Sequence, residues 1–94
     1  MSLNVLAEVY GVIEERKNNP KPSSYVSNLL QKGLDAVVAK VEEEAEEFIE
    51  ASKDKNSKEI VHEAVDLMFH MFILLVLKNI KLEEVLEEFQ RRRR

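Results

Sequence analysis

Apolar residues recur at helical spacing along most of this chain, and no stretch alternates between apolar and polar positions as a half-buried β-strand would. The first apolar stripe predicts a helix over about residues 3–17 and consists of Leu3, Leu6, Val9 or Tyr10, and Ile13. The chain holds only two glycines and two prolines, so few positions interrupt its helices. We therefore expect an all-α fold, in one domain that spans residues 1–94.

Turn-forming residues and helix caps divide the rest of the chain into four further helices. A loop over residues 17–24 contains both prolines and ends the first helix. The predicted helices are Tyr25–Lys32, closed by Gly33; a long helix from Asp35 to the polar stretch DKNS; one from a capping Ser57 to about Lys78; and a short one opening at Lys81. The short connection around residues 54–57 predicts that the two long helices form an antiparallel hairpin.

The segment from Ala64 to Leu77 is the most apolar of the chain and leaves no polar face. Such a helix must be covered on all sides, and the other helices of so short a chain can hardly surround it. A second copy packed across a two-fold axis is the simplest cover, so we expect a homodimer that completes a helical bundle. The segment would be about 21 Å long against a hydrocarbon core of roughly 30 Å, so no membrane span is expected.

Composition and charge narrow the functional classes. The net charge of −4 disfavours nucleic acid as a partner, because phosphate binding requires an excess of lysine and arginine. The basic tail at residues 91–94 is the local exception, and a solvated end or a helix end that complements its own dipole explains it. The chain contains no cysteine, which excludes disulfides and thiolate metal sites. Its first residues do not resemble a signal peptide, so a cytoplasmic location is expected.

Two pairs of carboxylates at helical spacing are the strongest candidate chemistry. Glu44 and Glu47 share one face of the first long helix, and Glu63 and Asp66 share one face of the next. Both pairs lie at similar distances from the turn of the hairpin, so the four carboxylates can converge. Converging anions require cations, and a set of oxygen ligands without thiols favours Mg²⁺, with Mn²⁺ as the alternative.

Other interpretations of the same residues have to be weighed. Each acidic pair alone is typical of a solvated helix face or a buried ion pair. Glu59 and His62 have the spacing used in di-iron bundles, but such sites need two such motifs, so His62 is interpreted as a surface residue. His70 is interpreted as a hydrogen-bonded core residue or a residue of the dimer contact. No nucleophile triad and no glycine-rich phosphate loop is present.

The order of these motifs resembles a known family. SSYVSNLLQKG, AKVEEEAEEFIEA and IVHEAVDLMFHMFILLVL follow one another along the chain, and they are similar to the phosphoribosyl-ATP pyrophosphohydrolases. That family lies in the all-α nucleoside triphosphate pyrophosphohydrolase superfamily, with the MazG-like proteins and dimeric dUTPases. The superfamily motif EExxE followed by ExxD corresponds to Glu43–Glu47 and Glu63–Asp66. The chain departs from the family at Glu42, where glycine is usual, and at Val26, where threonine is common.

The resemblance implies Mg²⁺-dependent hydrolysis of the α–β phosphoanhydride of phosphoribosyl-ATP, which yields phosphoribosyl-AMP and pyrophosphate in the second step of histidine biosynthesis. Glu44, Glu47, Glu63 and Asp66 would hold the metal, and Glu43 would be the base or an additional ligand. Lys40 lies one turn before Glu44 and is expected to contact phosphate. The weaker candidates for substrate binding are Arg16, Lys32 and Lys53. The alternatives are a house-cleaning nucleotide pyrophosphohydrolase of the same superfamily and a non-catalytic helical dimerisation module.

Overall fold

The structure is a computed structural model that describes residues 2–93, and within that range its regular secondary structure consists of α-helices joined by short connections. The helices are α1 Asn4–Asn18, α2 Tyr25–Lys32, α3 Leu34–Asp54, α4 Ser57–Leu77 and α5 Leu82–Arg92. The prediction of an all-α fold is confirmed. Helical periodicity and turn residues located every helix, and each observed start lies within one residue of the predicted one.

Polar caps explain two of these helix starts. The Ser24 hydroxyl accepts a hydrogen bond from the Ser27 N–H at 3.1 Å, which begins α2. The predicted cap of α4 is wrong by one residue, because the side chain of Asn56, not of Ser57, accepts the Glu59 N–H at 3.0 Å. Asn56 has extended backbone angles, which an N-cap needs, whereas Ser57 is already helical.

The hairpin of α3 and α4 is the main packing unit, and α1 and α2 lie against it. Two residues connect α3 to α4, which forces the two helices to run antiparallel. The core is apolar and comprises Tyr10, Ile13, Val26, Leu29, Leu30, Val37, Ile73, Val76 and Leu82. These residues come from all five helices, so the core fixes the position of the α3–α4 hairpin.

Helix α4 keeps an exposed apolar surface in the single chain. The exposed fractions are 61% for Val61, 54% for Val65, 47% for Met68 and 44% for Met71. Within the described residues, α4 is also the one helix long and apolar enough to cross a membrane. The sequence analysis expected no span because it measured only the segment from Ala64 to Leu77, and the whole helix is longer. Length and composition do not separate a membrane span from a helix covered by another protein surface, so this is weak evidence for a membrane.

The arginines at the end of the chain belong partly to α5. Arg91 and Arg92 lie in the last turn of this helix, and both form ion pairs with Glu88, from Arg92 Nε at 2.9 Å. Basic side chains in the last helical turn complement the helix dipole. Of the two explanations for the basic tail, the helix end therefore applies to these two residues; Arg94 lies outside the described residues.

Candidate metal centre

Three carboxylates from the two long helices meet where α3 and α4 face each other in the hairpin. Glu44 and Glu47 lie one turn apart on α3, and Glu63 faces them from α4. One oxygen of each carboxylate lies within 4.8 Å of the oxygens of the other two. Opposite ligands of an octahedral Mg²⁺ are separated by about 4.2 Å, so one cation could contact all three after small side-chain rotations. We call these residues the Glu44 triad.

Glu44 is the member of the triad whose surroundings are least expected. The residue is only 7% exposed, although the rest of the acidic stretch from Glu42 to Glu50 is mostly on the surface. Its Oε2 atom is buried and has no hydrogen-bond partner, while Oε1 lies 3.7 Å from the Lys40 ammonium. Burying a carboxylate oxygen without a partner is costly, so this atom points to a missing ligand.

The neighbouring Glu47 shows the electrostatic consequence of crowding. Its pKa is raised mainly by the adjacent Glu44 carboxyl group, which would share a hydrogen bond with a protonated Glu47 and which repels a charged one. Two carboxylates this close cannot both ionise freely without a compensating cation. The open groove beside them carries further acids, and its lining is Glu43, Glu46, Glu47, Glu50, Ala51, Asp54, Lys55, Glu59 and Glu63.

Asp66 lies in a second, adjoining cluster. Its carboxylate, that of Glu63 and the imidazole of His62 place one ligand atom each within 4.8 Å of one another. The structure therefore does not gather all four predicted metal ligands within that distance. It gathers Glu44 and Glu47 with Glu63, and Asp66 with Glu63, so that Glu63 is common to both clusters.

Lys40 is the cation closest to these acids. Its ammonium donates a hydrogen bond to the Glu43 carboxylate at 2.8 Å and lies beside Glu44. The hydrogen bond lowers the pKa of Glu43 and raises the pKa of Lys40. Lys40 therefore stays protonated at neutral pH and places a positive charge beside Glu44; its contact with phosphate stays a prediction.

A buried histidine connects the site to α2. His70 is 6% exposed; its Nδ1 lies 2.8 Å from the backbone carbonyl of Asp66 and its Nε2 lies 2.8 Å from the Tyr25 hydroxyl. Because a carbonyl only accepts, Nδ1 carries the proton, and in the neutral ring Nε2 accepts from Tyr25. Burial is the main cause of a raised pKa at Tyr25, so its hydroxyl remains a donor. Of the two interpretations of His70, a hydrogen-bonded core residue fits the structure.

The sequence did not predict the contact between Tyr25 and His70. Sequence spacing can relate His70 to Asp66 on one helix, but the two residues that meet here are 45 positions apart. The one sequence feature that could have pointed to Tyr25 is the Ser24–Tyr25 pair. The sequence analysis used this pair only as part of the resemblance to the family. Tyr25 is 51% exposed, so its ring lies at the surface while its hydroxyl reaches the buried histidine.

The remaining candidates for substrate binding form no ion pair with the Glu44 triad in the part of the chain that the structure describes. Among the described residues, neither Arg16 nor Lys32 forms an ion pair, and Lys53 pairs with Glu50 at 3.2 Å on the surface. The two departures from the family pattern are not members of the triad: Glu42 is exposed and Val26 belongs to the core.

The residues present suit a hard divalent cation. The Glu44 triad supplies oxygen donors only, one of which is buried without a partner, and like charges crowd at Glu47. Carboxylate ligands of this kind suit Mg²⁺ and Mn²⁺ rather than softer metals. The donor set therefore fits the magnesium ion that the sequence predicted.

A known protein family is similar to this chain over almost its whole length. The family described as phosphoribosyl-ATP pyrophosphohydrolase matches residues 6–93, which is nearly the whole chain. The chain belongs to this family. The match confirms the resemblance of the sequence motifs to this family. The name of the family describes a hydrolase.

Individual members of the family are similar over most of their length. A protein of Methanocella arvoryzae named phosphoribosyl-ATP pyrophosphatase is 50% identical, over 97% of this chain and 98% of its own. A protein of the same name from Clostridium acetobutylicum is 47% identical, over 94% of this chain and 80% of its own. A protein of the same name from Bacillus cereus is 45% identical, over 95% of this chain and 83% of its own.

Proposed function

We propose that this chain hydrolyses the α–β phosphoanhydride of phosphoribosyl-ATP to phosphoribosyl-AMP and pyrophosphate, in the second step of histidine biosynthesis, with Mg²⁺ as cofactor. The observation that carries the proposal is the buried, unpartnered oxygen of Glu44 in a triad of carboxylates. Membership of the family and the printed names of its relatives support the choice of substrate. A biosynthetic role of this kind agrees with a cytoplasmic location.

In this proposal, Glu44, Glu47 and Glu63 hold the metal, with Asp66 beside them. The bound metal would neutralise the triphosphate and lower the pKa of an attacking water. Lys40 contributes a positive charge next to the triad, where it can contact a phosphate oxygen. Phosphoryl chemistry depends mainly on positioning and charge stabilisation, and these residues supply both without a covalent nucleophile.

For Glu43, the roles of base and of additional metal ligand stay predictions. Its pKa is lowered by the hydrogen bond from Lys40, and a carboxylate with a lower pKa is a weaker base. Glu43 therefore serves to orient the Lys40 ammonium toward the phosphates.

A substrate panel tests the proposed activity. Pyrophosphate release would be measured with phosphoribosyl-ATP and with the common deoxynucleoside triphosphates, each with Mg²⁺ and with a chelator. We expect release that requires Mg²⁺ and a clear preference for phosphoribosyl-ATP. Release without such a preference would favour a house-cleaning pyrophosphohydrolase, and no release from any substrate would favour a non-catalytic module.

We also propose that the chain acts as a homodimer through the exposed apolar side of α4. Val61, Val65 and Met68 recur there at helical spacing, and each is about half exposed or more. Burial of such side chains stabilises association by about 25 cal/mol per Å² of apolar surface. Sedimentation of the intact chain should show a dimer, and Val65→Glu should shift it to monomer. A wild-type monomer at all concentrations would contradict this proposal.

A further inference from the structure

Tyr25 presents an exposed aromatic ring beside the candidate metal centre. Its hydroxyl lies 2.8 Å from Nε2 of His70, and Nδ1 of the same imidazole lies 2.8 Å from the backbone carbonyl of Asp66. One imidazole ring therefore separates the Tyr25 hydroxyl from the backbone of a predicted metal ligand. The tyrosine is nevertheless 51% exposed, so part of its ring is open to solvent next to the site.

Several contacts hold this ring in one orientation. The hydroxyl is bonded to His70, which is only 6% exposed, and the two rings pack edge to face with 5.7 Å between their centroids. Tyr25 is also the first residue of α2, directly after the capping Ser24. A side chain that is already ordered loses little conformational entropy when a ligand binds. The ring is therefore prepared to accept a flat ligand on its open side.

Charged groups of the metal centre surround the Tyr25 hydroxyl. Burial is the main cause of the raised pKa of Tyr25, and the remaining causes are the charges of Lys40, Glu44, Glu43 and Asp66. Charges on α3 and α4 act on this hydroxyl because they lie near it. A nucleotide whose phosphates are held by the metal and Lys40 would therefore have its base within reach of the ring.

The chemistry of Tyr25 suits the base of a nucleotide rather than its phosphates. The hydroxyl proton points to His70, so the side chain has no donor left for a phosphate oxygen. The nearby carboxylates of Glu43 and Asp66 favour a cation over an anion here. What remains available is the π-face of the ring, which attracts flat bases and cations. A purely structural anchor between α2 and α4 would need the hydroxyl alone.

We propose that the open face of Tyr25 stacks on the purine base of the substrate and favours a base that is substituted on N1. This rests on the proposed function, which supplies phosphoribosyl-ATP as the substrate. In that nucleotide the second ribosyl group is attached to N1 of the purine. Substitution at N1 makes the base far more basic than adenine, so it binds a proton and becomes cationic. A cation over the face of a tyrosine is attracted by the ring electrons, which is worth about two- to fivefold in affinity at an exposed site.

NMR of the tyrosine rings in the full-length chain tests this contact without any assay of activity. Tyr10 and Tyr25 are the only tyrosines, and Tyr10 is 2% exposed, so its ring signals are an internal reference. The probe is 1-methyl-AMP, added with Mg²⁺; it is cationic near neutral pH and contains no anhydride to hydrolyse. We expect the Tyr25 ring signals to shift upfield, because a stacked purine shields them, and the Tyr10 signals to stay in place.

The affinities of 1-methyl-AMP and AMP, measured by calorimetry, separate the role of the ring from that of the hydroxyl. The wild type should bind 1-methyl-AMP about two- to fivefold more tightly than AMP. Tyr25→Phe and Tyr25→Leu both remove the hydrogen bond to His70, but only Tyr25→Phe retains a ring. It should therefore retain most of the preference that Tyr25→Leu loses. Thermal unfolding would show that both variants are folded.

Several results would overturn this role of Tyr25. They are Tyr25 signals that stay in place while 1-methyl-AMP binds, equal affinity of the wild type for the two nucleotides, and no binding of either. A preference that both variants keep, or that both lose, would overturn it as well, because the ring would then make no difference. None of these results bears on the proposed hydrolysis, which is judged by pyrophosphate release.

Discussion

Glu44 and His70 are both buried polar residues, and their surroundings differ in one respect. His70 is 6% exposed and both of its ring nitrogens are hydrogen-bonded, one to Tyr25 and one to the Asp66 carbonyl. Glu44 is 7% exposed, and one of its oxygens has no partner. Both residues stand close to the same site, so burial alone does not distinguish them.

We interpret His70 as a structural residue because its hydrogen bonds are complete. Glu44 lacks a partner, and a bound ligand could supply it. Buried polar groups in proteins are nearly always hydrogen-bonded, and an exception requires an explanation. The contacts of His70 are complete within the chain, and they tie α2 to α4. Those of Glu44 are incomplete, and the cation proposed above would complete them. Each of the following changes tests one side of this contrast.

The largest effect is expected for Glu44→Gln. The substitution keeps the size of the side chain and removes its charge, so the metal loses a ligand. Metal ions supply several kcal/mol of transition-state stabilisation, and we expect pyrophosphate release from phosphoribosyl-ATP to fall about 100-fold or more. The measurement is steady-state release at saturating Mg²⁺.

Glu46→Gln is the matched control, because Glu46 lies on the same helix but is exposed. Its activity should stay within about twofold of the wild type. Equal activity of Glu44→Gln and Glu46→Gln would show that the buried carboxylate has no role in the reaction.

His70→Ala should act on stability more than on chemistry. The change removes two hydrogen bonds and leaves a cavity, at a combined cost of about 2–3 kcal/mol. The free energy of unfolding in urea should fall by this amount, while kcat falls less than about tenfold. His70→Gln, which can still accept from the Tyr25 hydroxyl, should recover part of the stability. A His70→Ala variant of normal stability with no activity would reverse the assignment and make His70 catalytic.

Magnesium should stabilise the folded chain through Glu44. A ligand at ten times its Kd that binds only the folded state stabilises it by about 1.4 kcal/mol. Thermal unfolding of the wild type should shift upward with Mg²⁺. Glu44→Gln should be more stable than the wild type without metal, because a buried charge is gone, and it should respond little to Mg²⁺. An equal shift in both proteins would place the cation elsewhere.

The smallest effect on stability is expected for a substitution of Tyr10, which lies outside the candidate metal centre. Its hydroxyl donates to the Ile80 carbonyl at 2.6 Å, so Tyr10→Phe should cost about 1 kcal/mol of unfolding free energy. Burial, followed by repulsion from Glu14, raises the pKa of Tyr10.

The sign of the pH effect follows from this shift. The unfolded chain loses the Tyr10 proton near pH 10, before the folded chain does, so stability falls as pH rises from about 10 toward the raised pKa. Urea unfolding at pH 9 and pH 11 should show a smaller loss for Tyr10→Phe. Equal losses in both proteins would remove Tyr10 as the cause.

Much of this arrangement could be predicted from residues close in sequence. Helical periodicity located the five helices, and the spacing of Glu44 from Glu47 and of Glu63 from Asp66 indicated acids on facing sides of a hairpin. The prediction of Ser57 as a cap was wrong, because Asn56 is an equally good cap one residue earlier. Neighbouring polar residues at a turn do not reveal which of them has extended backbone angles.

Features that depend on contacts between distant residues could not be predicted. Glu44 lies at helical spacing with Val37, Phe48 and Ala51, so this stripe could have marked it as buried while Glu43 and Glu46 are exposed. That one of its oxygens lacks a partner depends on how α3 rotates against α4. The separation of Asp66 from the Glu44 triad has the same origin. The partner of His70 lies on α2, and helical spacing carries no information about residues on another helix.

The most direct test is to follow phosphoribosyl-ATP by phosphorus NMR while Mg²⁺ is added to the metal-free wild-type chain. We predict no reaction without metal, and with Mg²⁺ the appearance of pyrophosphate and phosphoribosyl-AMP in equal amounts. A chelator should stop the reaction, and fresh Mg²⁺ should restore it. Turnover that continues at full rate in excess chelator, or a product other than pyrophosphate, would contradict a metal-dependent cleavage between the α and β phosphates.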